Sequence, residues 1–162
     1  MWETNPLRAL VLHGWFELTI DDKNRMLVPS EVRRKVDPER DGSAFYVIIG
    51  DSGRLFLYPE RYYEQLVSRD PRELTPDEDT LAYDRLNLGM ADCVEWDKQG
   101  RVLLPDRMLK DVGLGREVTL VGVRDHLELW DRSEWEAERK RLEARRAELS
   151  LKARQARQQP PP

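Results

Sequence analysis

Two short stretches carry the residue types best suited to binding chemistry, and they match each other. "DDKNRMLVP", Asp21 to Pro29, and "DKQGRVLLP", Asp97 to Pro105, place Asp, Arg, Leu and Pro at the same four positions. Asp21 and Asp97 can accept hydrogen bonds from N–H groups of their own turns, and an arginine four residues later can pair with each carboxylate. Asn24 and Gly100 hold equivalent places, where a tight turn needs a left-handed residue and these two types adopt it at least cost. Read singly, each turn is closed by an ion pair worth at most about 1 kcal/mol when exposed. Read together, Lys23, Asn24, Arg25, Lys98, Gln99 and Arg101 make a repeated polar and cationic surface able to meet phosphates and groove edges. Residue types alone leave both readings open.

The elements that must position these turns also repeat. "WFELTI" alternates with Phe16, Leu18 and Ile20 on one face before the first turn, and the less regular "MADCVEW" precedes the second. After each turn a short apolar strand, "MLV" or "VLL", runs into a proline suited to the first helical position, so "PSEVRRKV" and "PDRMLKDVG" read as short helices. Gly113 is placed to end the second in a left-handed cap. Hairpin-like strand pairs follow, "AFYVIIG-DSG-RLFLY" and "EVTLVGV-RD-HLELW", each ending in an aromatic residue and a helix start. The copies are offset by 76 residues at the arginine and by 72 at Tyr58 and Trp130, a difference absorbed in the "DPERDGS" loop.

The segment boundaries implied are an N-terminal extension over 1–13, a first half over 14–68, a connector and helix over 69–89, a second half over 90–137, and a charged helix with a disordered tail over 138–162. In the connector helix, Thr75 is the expected N-cap, with Pro76 at the first position. Beyond Ser133 one long helix is expected, with apolar positions too sparse for a deep core face. It reads as solvated or partner-facing rather than as a second nucleic-acid arm.

Composition narrows the function classes. The chain has 162 residues and a formal net charge of -4, but from Glu136 onward eight Lys or Arg face four Glu, leaving 19 basic against 27 acidic residues elsewhere. Any anion-binding surface in that acidic remainder must be a local cluster. No apolar run reaches the ~20 residues of a membrane span, so a soluble, cytoplasmic protein is expected. Cys93 has no partner for a disulfide, and with only His13 and His126 it makes a poor zinc set; it reads as a small buried apolar residue. A phosphate-cradling glycine loop, a helical His pair and a nucleophile with an assignable histidine are all missing from the sequence. No enzyme, cofactor, metal or small-molecule substrate is therefore expected.

The paired turns, "LFLYPERYYEQL" and "VTLVGVRDHLELWDRSEWE" together resemble the MraZ family of bacterial transcriptional regulators, related to the AbrB-type DNA-binding fold. The resemblance covers roughly residues 14 to 137. It implies an α+β fold in which two AbrB-like halves interleave β-hairpins into a pseudo-two-fold, barrel-like core, with flanking helices and a long C-terminal helix. It further implies a nucleoid-associated homo-oligomeric ring that binds double-stranded DNA at promoter direct repeats of the division and cell-wall gene cluster, usually as a repressor. The family's DNA-contacting arginine falls on Arg25 and Arg101. Its Arg-Arg pair after the proline falls on Arg33 and Arg34, with only Lys110 near that place in the second half. The competing reading is an assembly module in which the Asp-x-x-x-Arg turns are salt bridges between subunits.

Overall fold

The computed structural model describes residues 10–161. It divides into two compact units, one ending at Asp131 and the other beginning at Arg132.

Among the described residues of the first unit there are eight strands, β1 (Trp15–Thr19), β2 (Arg25–Leu27), β3 (Ala44–Ile49), β4 (Leu55–Pro59), β5 (Asp92–Glu95), β6 (Arg101–Leu103), β7 (Glu117–Val123) and β8 (His126–Asp131). Six form one antiparallel sheet in the order β1-β7-β8-β4-β3-β5, and the other two, β2 and β6, pair as a separate ribbon. Exchanging the halves maps the six-stranded order onto its own reverse. The first strand of each half pairs with the third strand of the other, β1 with β7 and β5 with β3, so the two hairpin sets interleave. At the centre, Leu55 lies opposite Leu129 and Leu57 opposite Leu127, a register that the 72-residue offset maps onto itself. The resemblance implied this interleaved α+β arrangement, and the structure has it.

Hydrophobic patterning explains which strands lie inside. In β4 the sequence Leu-Phe-Leu-Tyr-Pro alternates buried and half-buried residues, whereas β3 and β7 carry near-continuous apolar runs and are buried along most of their length. Phe45, Leu55, Leu57, Leu120, Leu127 and Leu129 supply the sheet's part of the core, while Met26, Val28, Val102 and Leu104 come from the ribbon strands and the residues that follow them. The edge strands β1 and β5 run through the two Asp-Arg turns into β2 and β6. The ribbon thereby covers the open side of the sheet and gives the core its barrel-like closure.

Helices α1 (Ser30–Lys35) and α5 (Asp106–Val112) start directly after Pro29 and Pro105, and Gly113 ends α5 in a left-handed cap at φ 66°. The elements between them are α2 (Pro38–Asp41), α3 (Glu60–Arg69) and α4 (Glu78–Asp84), the last running into a π-helical turn over Arg85–Gly89. The second unit contains α6 (Arg132–Ala144) and α7 (Arg146–Gln158).

Three expectations change. The connector helix is capped by Asp77, whose side chain accepts from the Thr80 N–H, rather than by Thr75. Cys93 is exposed on β5 because its neighbour Val94 takes the inward position. The long C-terminal helix is two helices, parted at Arg145, whose φ of -104° and ψ of 14° leave the helical range. Of the extension over 1–13, residues 1–9 lie outside the described residues, but Leu10 and Leu12 are buried in the core. Leu12 exchanges backbone hydrogen bonds with Arg124. Gly122 permits this approach, since a Cβ there would lie 2.4 Å from the His13 nitrogen.

Candidate nucleic-acid interface

The two turns are near-identical devices. Asp21 Oδ1 accepts from the backbone N–H groups of Lys23 at 2.9 Å and Arg25 at 2.8 Å, and Asp21 Oδ2 accepts from Arg25 Nε at 2.8 Å. Asp97 repeats the set with Gln99 at 2.9 Å, the Arg101 N–H at 3.0 Å and Arg101 Nε at 3.0 Å. Asn24 and Gly100 take the left-handed conformation, at φ 62° and 81°. The backbone N–H bonds from Arg25 and Arg101, joined by their guanidinium pairing, hold the two carboxyls below the usual aspartate range, so both are charged at neutral pH.

Tertiary structure then joins the turns. In the ribbon, Arg25 lies opposite Leu103 and Leu27 opposite Arg101, with Met26 and Val102 between them. Val28 N–H donates to the Gly100 carbonyl and Leu104 N–H to the Asn24 carbonyl, extending the same two-fold register beyond the strands. Met26 and Val102 are fully buried, so by strand alternation Arg25, Leu27, Arg101 and Leu103 share the outer face. The two arginines are diagonal neighbours there, a relation that sets side chains about 7–8 Å apart. Their side chains are 32% and 30% exposed, and the adjoining Leu27 and Leu103 are 48% and 60% exposed. Each Nε is held by its own aspartate, and the terminal nitrogens of both guanidinium groups make no hydrogen bond among the described residues. The face thus offers two oriented, outward cationic forks beside two apolar side chains.

The remaining candidates divide into exposed and bracing residues. Lys23 and Lys98 are exposed, one in each turn, and neither makes an ion pair among the described residues. The Asn24 amide donates to Asp106 Oδ1 at 3.2 Å, tying the first turn to the start of α5. Arg33 turns inward: its Nε donates to the Val28 carbonyl at 3.0 Å, and a Cβ on Gly100 would lie 2.6 Å from its guanidinium carbon. Gly100 takes its positive φ at no steric cost, and a side chain there would displace the Arg33 guanidinium. Arg34 is exposed on α1 and lines a cleft of about 600 Å³ with His13, Trp15 and Phe16.

Sequence reasoning overlooked Leu27 and Leu103, although the alternation Arg-Met-Leu-Val already places Leu27 on the face of Arg25. It also overlooked Arg116, whose guanidinium donates to the carbonyls of Ile20 and Asp21 and fastens the first turn to the residue before β7. No local signal links residues this far apart.

Comparison with known proteins places this arrangement. The family described as "MraZ protein, putative antitoxin-like" matches residues 11–85 and again 88–159, so both halves and most of the second unit fall within its pattern. Among curated relatives, a protein named transcriptional regulator MraZ from Neisseria meningitidis is 38% identical over 130 residues, covering 77% of this chain and 83% of its own length. One of the same name from Lachnoclostridium phytofermentans is 34% identical over 125 residues, covering 76% and 84%. Another, from Acetivibrio thermocellus, is 31% identical over 127 residues, covering 78% and 85%.

Proposed function

This chain belongs to the MraZ family, and on that premise we propose that it is a DNA-binding transcriptional regulator whose β2–β6 ribbon enters the major groove. The observation that carries the proposal is the placement of Arg25 and Arg101 on one exposed face of a single two-stranded ribbon. A three-residue ribbon is about 10 Å long, and the major groove, about 12 Å wide, admits a two-stranded ribbon. Arginine is the commonest side chain to bind a guanine edge in bidentate fashion, and an apolar contact suits a thymine methyl group. Lys23 and Lys98, in turns at opposite ends of the ribbon, contact flanking phosphates. Arg34 adds a cation on α1, while Asn24 and Arg33 act by holding the ribbon's ends in shape.

The finer reading is a repressor that acts, as a ring-like homo-oligomer in the cytoplasm and on the nucleoid, on direct repeats in the promoter of the division and cell-wall gene cluster. The acidic balance of the chain before Glu136 favours many modest contacts summed over several subunits. The assembly-module alternative is less well supported, because both oxygens of each turn aspartate are already engaged within their own turn.

The test is fluorescence anisotropy on duplex DNA from immediately upstream of the chain's own gene, over a salt series. Arg25→Ala should weaken binding and flatten the slope of log affinity against log salt by about 0.9 per engaged subunit. An unaltered slope with undiminished affinity would remove the ribbon from the interface.

A further inference from the structure

Helices α6 and α7 are both rich in arginine, but they use it differently. In α6 the bases are matched to acids one turn away: Arg139 pairs with Glu136 at 2.7 Å and Glu143 at 2.8 Å, Arg141 with Glu138 at 2.6 Å, and Lys140 lies 3.9 Å from Glu136. Such a helix neutralises itself. Helix α7 carries one acid, Glu148, which is engaged by Arg145 at 3.0 Å and Lys152 at 2.8 Å and held down to about 2 by those two hydrogen bonds.

Arg146, Arg154 and Arg157 make no ion pair among the described residues, and all three are exposed. At 100° per residue they fall within an arc of about 80°, together with Ser150, while Glu148 lies on the opposite side. The stripe is about 16 Å long, about five base-pair rises when measured along a duplex axis. Folding stability accounts for only part of it. Arg157, in the last turn, suits the negative end of the helix dipole, but Arg146 stands at the positive end, and Arg154 and Arg157 are like charges one turn apart.

We propose that the Arg146–Arg154–Arg157 face of α7 is a second, sequence-independent contact to double-stranded DNA, which binds phosphates outside the bases read by the ribbon. Charge complementarity selects this partner. The second unit is the basic part of an otherwise acidic chain, and a duplex backbone presents anions at the spacing the stripe spans. A lipid surface fits less well, because a membrane-lying helix needs a continuous apolar face. Leu149 and Leu151 point to different sides of α7, and small residues, Ala147 and Ala153, flank the arginines.

This inference rests on the DNA-binding reading, and the experiment separates the two. Full-length wild type, Arg25→Ala, the triple variant Arg146→Gln/Arg154→Gln/Arg157→Gln and the corresponding triple Lys variant are titrated onto a 40-base-pair duplex of arbitrary sequence, from about 50 to 200 mM salt. Each phosphate contact contributes about 0.9 to the slope, so the Gln variant should be shallower by about 2.7 per engaged subunit and the Lys variant should match wild type. Circular dichroism checks that helix content is kept. A Gln variant with the wild-type slope, beside an Arg25→Ala that does flatten it, would overturn the stripe and leave the ribbon standing. Absence of duplex binding by wild type would remove both. A slope lost in Gln but not restored in Lys would trace the effect to packing of α7 and also overturn the proposal. So would wild-type binding to phosphatidylserine vesicles that is lost in the Gln variant while the duplex slope is unchanged.

Discussion

At the scale of single residues, Asp21 and Asp97 decide how the turn arginines can act. An arginine on a flexible arm pays rotamer entropy to order itself at a ligand, of order 1.5–2 kcal/mol for a long side chain. Here the carboxylate grips Nε from the same turn whose backbone it organises, so the guanidinium is already aimed and its outer edge remains available. On this account Asp21→Asn leaves backbone acceptance at Oδ1 possible and removes the charge pairing. The expected result is a several-fold loss of preference for the upstream DNA over a random duplex, with the salt slope unchanged because Arg25 keeps its charge. Competition anisotropy reads that ratio, and an unchanged ratio would show that the aspartate serves the turn alone.

At the scale of elements, the β4–β8 pair contains a titrating centre that the regulator reading does not use. His126 is stacked between Phe56, with ring centroids 4.5 Å apart, and Tyr58, at 5.1 Å. Its Nδ1 lies 2.9 Å from Asp125 Oδ1 and its Nε2 3.1 Å from Glu128 Oε2. Burial works against the imidazolium, but the hydrogen bonds to Glu128 and Asp125 outweigh it and raise the histidine above its usual range. Tyr62 donates to the other oxygen of Asp125, and the Trp130 indole donates to the other oxygen of Glu128, fixing both carboxylates. A raised folded value means that the stabilisation is fully present below the unfolded value of about 6.5 and is lost as pH rises through the folded value. The melting temperature should therefore fall as pH increases from about 6.5 through that value. His126→Gln should flatten this dependence, as differential scanning fluorimetry across buffers would reveal. A wild-type profile retained in the variant would assign the pH dependence to other groups.

At the scale of the whole molecule, the proposed self-association is expected to use apolar surface away from the ribbon. Tyr83 on α4, Leu86 on the π-helical turn after it and Met90 just beyond that turn are more than half exposed, and Tyr63 fastens the turn through a hydrogen bond to the Asn87 carbonyl. Leu86→Asp should lower the mass measured by light scattering and cost DNA affinity through lost avidity, about 100-fold or more. Arg25→Ala should leave the mass unaltered. A mass lost with Arg25→Ala instead would favour the turns as subunit bridges.

Much of this architecture is local and was therefore legible in the residues. An Asp and an Arg four apart close their own turn, a proline precedes a helix, Gly113 caps one, and alternation marks the strands, because each depends on neighbours within about five positions. The repeat carried the reading further, since the paired turns supported the family resemblance, and that resemblance implied a pseudo-two-fold. The rest required contacts across tens of residues. The pairing of β2 with β6, 76 residues away, brought Arg25 and Arg101 onto one face and made Leu27 and Leu103 part of it. Arg33 turned inward because the opposite half left room for its guanidinium over Gly100, while its Nε reached back to the Val28 carbonyl of its own half. The register of edge strand β5, set by Val94 entering the core, left Cys93 outside. Spacing along a chain specifies hydrogen bonds that close short loops, whereas the choice of face follows from which distant strand completes the ladder, and that is decided only when the two halves fold into one another.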